Sequence, residues 1–479
     1  MKLLLTLPLP MLLAACAVGP DYHPATLPPA TLAESGGQSV APDPLPERWW
    51  QVFEDKALDE LVDKALRHHA DLRIAAANLQ KAREALGEAR SALVPDASAQ
   101  AQYQRLRSRA IVSDRDGNLT ARTFSGQLYS PAMDASYELD LLGGVRRGIE
   151  AALADHARAA ALLDAARVSV AGDTARYYVT ACAYGAQVAV ARDTLDLQRR
   201  TLALIQAREQ GGRSTMRDVA EARALVAQAE AQIPMLEAER RATLYALATL
   251  TGERPEALSG PATACVAIPA PRLPLPMGDG QALLARRPDL RAAERQLAGD
   301  MARIGMAKAD LYPKITLLGT VGLNSPALSN LGAAATTTYS AGPLISWSLP
   351  LNGAPRARLR QARAQADIAL AGFDKAVLNA LQETEQALAR LDGAARREEA
   401  LNEAAKASEQ AAALTQTRFR AGSDNFLQLL DAQRSLASAR GQAIAAASDR
   451  ALAQVSLFKA LGGGWQNAPV VELRHPSAN

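Results

Sequence analysis

The feature that most constrains this chain is that it repeats itself once. Slid along itself, the 479-residue sequence matches at offsets of 210 to 218 residues. At 218, Asp71, Leu72, Arg73, Leu79, Gly87, Ala89, Leu93 and Pro95 match Asp289, Leu290, Arg291, Leu297, Gly305, Ala307, Leu311 and Pro313. At 210, Leu139, Leu141, Gly143 and Arg146 match Leu349, Leu351, Gly353 and Arg356. The same offset pairs Leu204, Arg208, Gly212, Ala222, Arg240 and Gly252 with Leu414, Arg418, Gly422, Ala432, Arg450 and Gly462. Solenoids repeat at roughly 20 to 50 residues, so one repeat of this size is a duplicated unit. Any fold for the chain must therefore be built twice, from 49–264 and 265–462, with a short tail at 463–479.

Each half reads as a medium helix, a strand-rich insert, a very long helix, a glycine turn and a returning helix. In the first half these fall near 72–94, 96–136, 145–209, 210–214 and 215–250; the second insert falls at 314–346. Aromatic residues make up only 4% of the chain while Ala, Leu, Arg, Gln and Glu fill most stretches, which favours extended helix over sheet. A heptad seam runs through Val170, Thr174, Tyr177, Ala181, Tyr184, Val188, Ala191 and Leu195. About 60 residues at about 1.5 Å each make a rod on the order of 90 Å. Pro234, inside the returning helix, predicts a kink.

The inserts argue against a plain coiled coil. Ala97, Ala99, Ala101 and Tyr103 alternate with Ser98, Gln100, Gln102 and Gln104, and Gly126 and Leu128 alternate with Ser125, Gln127 and Tyr129. Tyr339, Ala341, Ile345 and Trp347 alternate in the same way with Ser340, Gly342, Ser346 and Ser348. This period of two belongs to a half-buried sheet or to strands that cross a membrane. In lipid a sheet must close, because open edges leave backbone groups unpaired. Two hairpins supply four strands, fewer than the roughly eight of the smallest barrels. Membrane-crossing strands would therefore require several copies to share one barrel, and three copies give twelve strands. Polar stretches at 113–118 and 324–326 fit the hairpin tips.

The amino terminus places the chain outside the cytoplasm. Lys2, an apolar run from Leu3 to Leu13, and Leu13-Ala14-Ala15-Cys16 form a lipoprotein-type signal. Residues 1–15 are then removed, and Cys16 carries diacylglycerol and N-acyl chains, the one covalent addition expected. Residues 16–48, rich in Pro, Ala, Ser and Gly, read as an extended tether. Cys182 and Cys265 remain, and either a disulfide or two separate thiols fits them. The formal charge of +3 is too small and dispersed to indicate nucleic acid. The five histidines have no CxxC or HExxH partner, so no metal site, cofactor site or enzyme constellation is legible.

Several runs resemble the TolC-like outer-membrane efflux proteins, in the lipoprotein branch that includes OprM, NodT and CusC. They are Cys16-Ala17-Val18-Gly19-Pro20-Asp21-Tyr22, Trp49-Trp50 with Phe53, Asp71-Leu72-Arg73, Tyr137-Glu138-Leu139-Asp140-Leu141, Arg286-Arg287-Pro288-Asp289 and Leu429-Leu430-Asp431-Ala432-Gln433. His69 stands where that family usually has Asn. The resemblance implies a mainly α protein with a membrane β-barrel, a homotrimer whose twelve-stranded barrel continues as a periplasmic barrel of twelve helices. It implies a passive exit duct for small molecules, a periplasmic adaptor and an inner-membrane RND-type pump as partners, and no catalysis. The turns carrying Gly212, Ser214, Thr215 and Gly422, Ser423, Asn425 would then lie at the periplasmic tip and meet the adaptor. Asp424, Asp431, Asp218 and Glu221, with Arg418, become candidates for a gate that threefold symmetry makes into rings. Helix capping alone also explains these turn residues. Alternative readings are a type I secretion outlet for polypeptides, a periplasmic adaptor, and a structural spacer. An adaptor would carry one helical hairpin, whereas here hairpin and insert both occur twice.

Overall fold

The computed structural model describes residues 17–24, 32, 40–41, 43–113, 119–257, 261–271, 273–277, 280–349 and 352–472. The signal at 1–15, Cys16, most of the tether, the hairpin tip at 114–118, His475 and the end of the tail lie outside the described residues. In chain order the elements are β1 (Val40–Ala41), α1 (Lys56–His68), α2 (Ala70–Ser91), β2 (Asp96–Ser113), β3 (Leu119–Leu139), α3 (Gly144–Gln210) and α4 (Met216–Leu250). Then come α5 (Pro261–Ala264), β4 (Leu275–Pro276), α6 (Gly280–Arg286), α7 (Pro288–Ala309), β5 (Lys314–Leu323), β6 (Thr337–Ser346), α8 (Ala354–Arg420) and α9 (Phe426–Ala460). The duplication is exact in helix length: α3 and α8 each have 67 residues, α4 and α9 each 35. Pro234 lies inside α4, which continues through it to Leu250.

The chain forms two compact units, each drawing on both repeats. One comprises Met1–Pro24, Gln80–Arg158 and Glu294–Gly372; the other holds the rest. The first unit is organised by a four-stranded antiparallel sheet of order β2-β3-β5-β6. The repeats meet in it along β3 and β5, from Ala132 opposite Gly322 to Leu139 opposite Ile315. A side chain at Gly322 would come within 2.9 Å of Ala132 and of the Pro131 carbonyl, so only glycine lets these strands approach. One sheet face carries Ala99, Ala101, Tyr103, Tyr129, Pro131, Met133, Val321 and Tyr339; the other carries Gln100, Asp134 and Thr320. On that second face Asp134 accepts hydrogen bonds from Gln100 Nε2 (2.8 Å) and Thr320 Oγ1 (2.7 Å). The alternation changes phase along the first hairpin, because Gly126 and Leu128 share a face with Gln104 and Leu106, opposite Tyr103 and Tyr129.

The start of the expected tether is extended but docked within this unit. Val18 N–H donates to the Leu142 carbonyl (3.0 Å), and a side chain at Gly143, whose φ is 78°, would collide with Ala17. Arg147, its side chain only 6% exposed, pairs with Asp21 (2.6 Å) and Glu150 (2.7 Å). The Arg147 hydrogen bond holds the Asp21 carboxyl below its usual range. Tyr22 donates to Glu294 at 3.0 Å.

The second unit has an aromatic centre. Trp49, Trp50 and Phe53 are buried with Leu58, Leu66, Leu72 and Leu247, and Trp49 stacks on Phe458 with ring centroids 5.0 Å apart. Asp55 caps α1, accepting from Ala57 N–H, and also accepts from the buried Tyr178 hydroxyl at 2.8 Å. Gly464 at the start of the tail packs against Trp49 and Trp50. Cys182 and Cys265 form a disulfide, which settles the alternative that the sequence left open. The segment between the repeats lies across three helices of this unit. Gly185 on α3 is within a Cβ's reach of the Cys265 carbonyl, Arg240 on α4 donates to the Thr263 and Cys265 carbonyls (2.8 and 2.9 Å), and Gln454 on α9 donates to the Pro271 carbonyl (3.1 Å). Among the described residues no helix is long and apolar enough to cross a membrane.

Candidate functional site

The candidate site consists of two helix turns, α3 to α4 and α8 to α9, together with the apolar cluster behind them. Each long helix stops where its backbone turns left-handed, at Gly212 (φ 71°) and Gly422 (φ 82°). Around both glycines the carbonyls of the last helical turn are satisfied in the same way. Arg213 N–H reaches the Arg208 carbonyl and Gly212 N–H that of Glu209; Ser423 N–H reaches Arg418 and Gly422 N–H reaches Phe419. This is a Schellman closure with glycine at C′, the position where a Cβ costs most. Each returning helix then opens with a capping box, Thr215 with Asp218 and Asn425 with Gln428.

The side chains around this common backbone differ. Asp218 accepts from Thr215 N–H and from Ser214 Oγ, both at 2.9 Å. The Thr215 backbone hydrogen bond, aided by the two hydroxyls and by Arg217, holds the Asp218 carboxyl below its usual range. Arg217 pairs with Glu221 one helical turn on (2.9 Å). In the second turn Arg418 Nε meets both oxygens of Asp424 (2.9 and 3.0 Å), and the Asp424 side chain is only 10% exposed. Asp431 is exposed and makes no ion pair among the described residues. Of the four acidic gate candidates, Asp218 and Asp424 are thus bound by residues of their own turns, Glu221 by Arg217 within α4, and Asp431 is open to solvent.

Behind the turns, Ile205, Val219, Ala222 and Leu225 from the first pair of helices pack with Phe419, Phe426, Leu429 and Leu430 from the second. Two polar ties cross this cluster. Arg208 Nη1 donates to the Phe419 carbonyl (3.0 Å) while its guanidinium sits 4.4 Å from the centre of the Phe419 ring. Gln433 Nε2 donates to Thr201 Oγ1 (2.9 Å), both side chains being buried. The sequence marked Arg208 only as a repeat match and Gln433 only as the end of the run Leu429–Gln433, and assigned neither a role. The signal for Arg208 was present, since the repeat pairs it with Arg418, but which carbonyl it would reach is decided by packing between distant helices. Among the described residues no group of His, Cys, Asp and Glu is arranged to hold a metal ion.

The sequence profile described as Outer membrane efflux protein matches residues 61–253 and 280–463. The break between the two matches falls on the segment held by the disulfide. The chain is 31% identical over 468 residues to the pyoverdine export outer membrane protein OpmQ of Pseudomonas putida, covering 96% of this chain and 97% of that protein. It is 32% identical over 460 residues to outer membrane protein OprJ of Pseudomonas aeruginosa, covering 95% and 94% of the two chains. The solved structure of the outer-membrane channel OprN matches with a TM-score of 0.88 at 33% identity, over 94% of this chain and all of that one. This chain belongs to the outer membrane efflux protein family, as a TolC-like channel component of an efflux pump, set in the outer membrane and extending into the periplasm.

Proposed function

We propose that three copies of this chain close a single passive exit duct, which takes small molecules from an inner-membrane RND-type pump through a periplasmic adaptor. The observation that carries this reading is the sheet. Its outer strands, β2 and β6, each pair on one side only. An open edge in hydrocarbon leaves a row of unpaired amides and carbonyls, so these edges must meet those of other copies. Four strands per chain make twelve in a trimer, within the range of membrane barrels. Acylation at Cys16 adds an anchor, and the segment that follows it in sequence is held by the Val18–Leu142 hydrogen bond and the Asp21–Arg147 pair, which supports an attachment close to the folded unit. The subunit catalyses no reaction; its work is conduction.

The paired turns serve as the closed end and as the adaptor's landing place. Gly212, Ser214 and Thr215 with Gly422, Ser423 and Asn425 supply the contact surface. In a trimer the Arg418–Asp424 pair recurs three times around the axis and holds each second turn in its closed form. Asp424→Ala frees Arg418 and raises leak conductance in planar bilayers, whereas Ser214→Ala, at the matching position of the first turn, leaves it unchanged. Heat-modifiable trimers in the outer-membrane fraction together with single-channel conductance test the reading. Monomers without conductance would overturn the duct, and unchanged leak in Asp424→Ala would remove that pair from the gate.

A further inference from the structure

Three arginines on the first strand hairpin lie far in sequence from the helix turns of the candidate site. The face of β2 and β3 that carries Ala97, Ala99, Ala101, Tyr103, Tyr129, Pro131, Met133, Ala135, Tyr137 and Leu139 is apolar, and it ends at the tilted pair of Tyr103 and Tyr129, with ring centroids 5.0 Å apart. From Leu139 to Tyr129 the strand runs for the roughly 9 to 11 residues that a tilted strand needs to cross a bilayer. Beyond the tyrosines the same face becomes Arg105, Arg107 and Arg109, opposite Gln127, Ser125 and Thr123. All three arginines are exposed, and none makes an ion pair or hydrogen bond among the described residues. Alternate residues stand about 7 Å apart along a strand, so their guanidinium groups form one outward-facing column. Both hairpin ends nearest the helices, Asp96 and Leu139, lie at the opposite limit of the apolar band. In a closed barrel with this apolar face turned to lipid, the arginine column would sit at the level of the outer leaflet's headgroups, outside the barrel wall. A column of unpaired cations facing polar neutral partners is matched by a surface of phosphates, which guanidinium groups bind with two parallel hydrogen bonds.

We propose that Arg105, Arg107 and Arg109 form a binding site for the phosphate groups of the glycolipid in the outer leaflet. This rests on the barrel reading above, since the column faces lipid only if the tyrosine pair marks the membrane boundary. The test uses the purified full-length trimer and lipopolysaccharide, compared with the same lipid after enzymatic removal of its phosphates and with free inorganic phosphate. The wild-type protein should retain the phosphorylated lipid, lose it as salt rises, and bind the dephosphorylated lipid about tenfold or more weakly. The triple variant Arg105→Gln, Arg107→Gln, Arg109→Gln should lose retention to the same extent, and the corresponding triple Lys variant should keep most of it. Bilayer conductance of the triple Gln variant should match the wild type, which shows that the barrel is intact and separates this proposal from the duct reading. Equal retention of both lipids by the wild-type protein, or undiminished retention by a conducting triple Gln variant, would overturn the site. Full competition by millimolar free phosphate would overturn it too, by showing an anion site with no need of the lipid surface.

Discussion

At the turn between α3 and α4 a carboxylate closes the capping box, and at the turn between α8 and α9 a neutral amide does so. The matching arginines have diverged as well. Arg208 leaves its own turn to bind the Phe419 carbonyl and ring, whereas Arg418 folds back on Asp424 in its own turn. The two turns nevertheless share a left-handed glycine, a Schellman closure and a capped helix start. Duplication has thus kept what the backbone requires and released what it does not. Because the first turn holds the second through Arg208, while the second holds only itself through Arg418, the two turns should respond differently to matched substitutions.

Arg208→Ala should give the largest effect. It removes a charged hydrogen bond to a carbonyl of a residue only 4% exposed and a cation–π contact, costing about 1 to 3 kcal/mol. Arg418→Ala removes a pair whose arginine is 64% exposed, and should cost less than about 1 kcal/mol. Hydrogen exchange measured on peptides covering 414–430 distinguishes them: fast exchange throughout in Arg208→Ala, and a smaller rise confined to the turn around Asp424 in Arg418→Ala. Equal effects would mean that the cross-helix tie holds nothing. Gly212→Ala and Gly422→Ala come next, at about 1 to 2 kcal/mol each, since a Cβ is strained at positive φ. A Cβ added at either glycine would meet no atom within 4 Å, so only backbone strain is at stake and the two losses should agree. Thermal unfolding of the two variants checks this, and a clear inequality would show that one turn is not in the conformation described.

The sequence carried the parts of this site that are set locally. Helix lengths, the glycine turns and the caps were legible because a left-handed residue and an N-cap demand particular residue types at particular offsets. The long helices expected at 145–209 and the return at 215–250 are found as Gly144–Gln210 and Met216–Leu250. What escaped was decided by partners far away in the chain. Arg208 and Phe419 are 211 residues apart, and Asp21 and Arg147 are 126. The second pair, with the glycine contacts at Ala17, turns the first residues of an expected tether into a docked segment. Pairing of Cys182 with Cys265, 83 residues on, depends on the close approach at Gly185. The face change beyond Tyr103 was also hidden, because alternation gives the period of each strand but not the register that sets two strands in phase.

The smallest expected effect is the one that separates the two caps by charge. Thr215→Ala and Asn425→Ala should each cost about 1 kcal/mol, the usual loss of an N-cap, and so do not tell the turns apart. Their partners do. The folded Asp218 carboxyl is held below its unfolded value of roughly 3.9, so its contribution is present above that pH and is lost as pH falls through the folded value. Gln428 does not titrate. At neutral pH, Asp218→Ala and Gln428→Ala should each destabilise by about a few tenths of a kcal/mol, solvent at the half-exposed Asp218 screening the larger part of its charge. On acidification below about pH 4 the Asp218→Ala penalty should shrink towards zero, because the wild-type carboxylate is then protonated, while the Gln428→Ala penalty stays constant. Parallel unfolding titrations of the two variants against the wild type read this difference directly. If both penalties fell together, the acid response would belong to the whole helical assembly, and the charged cap would be interchangeable with the neutral one.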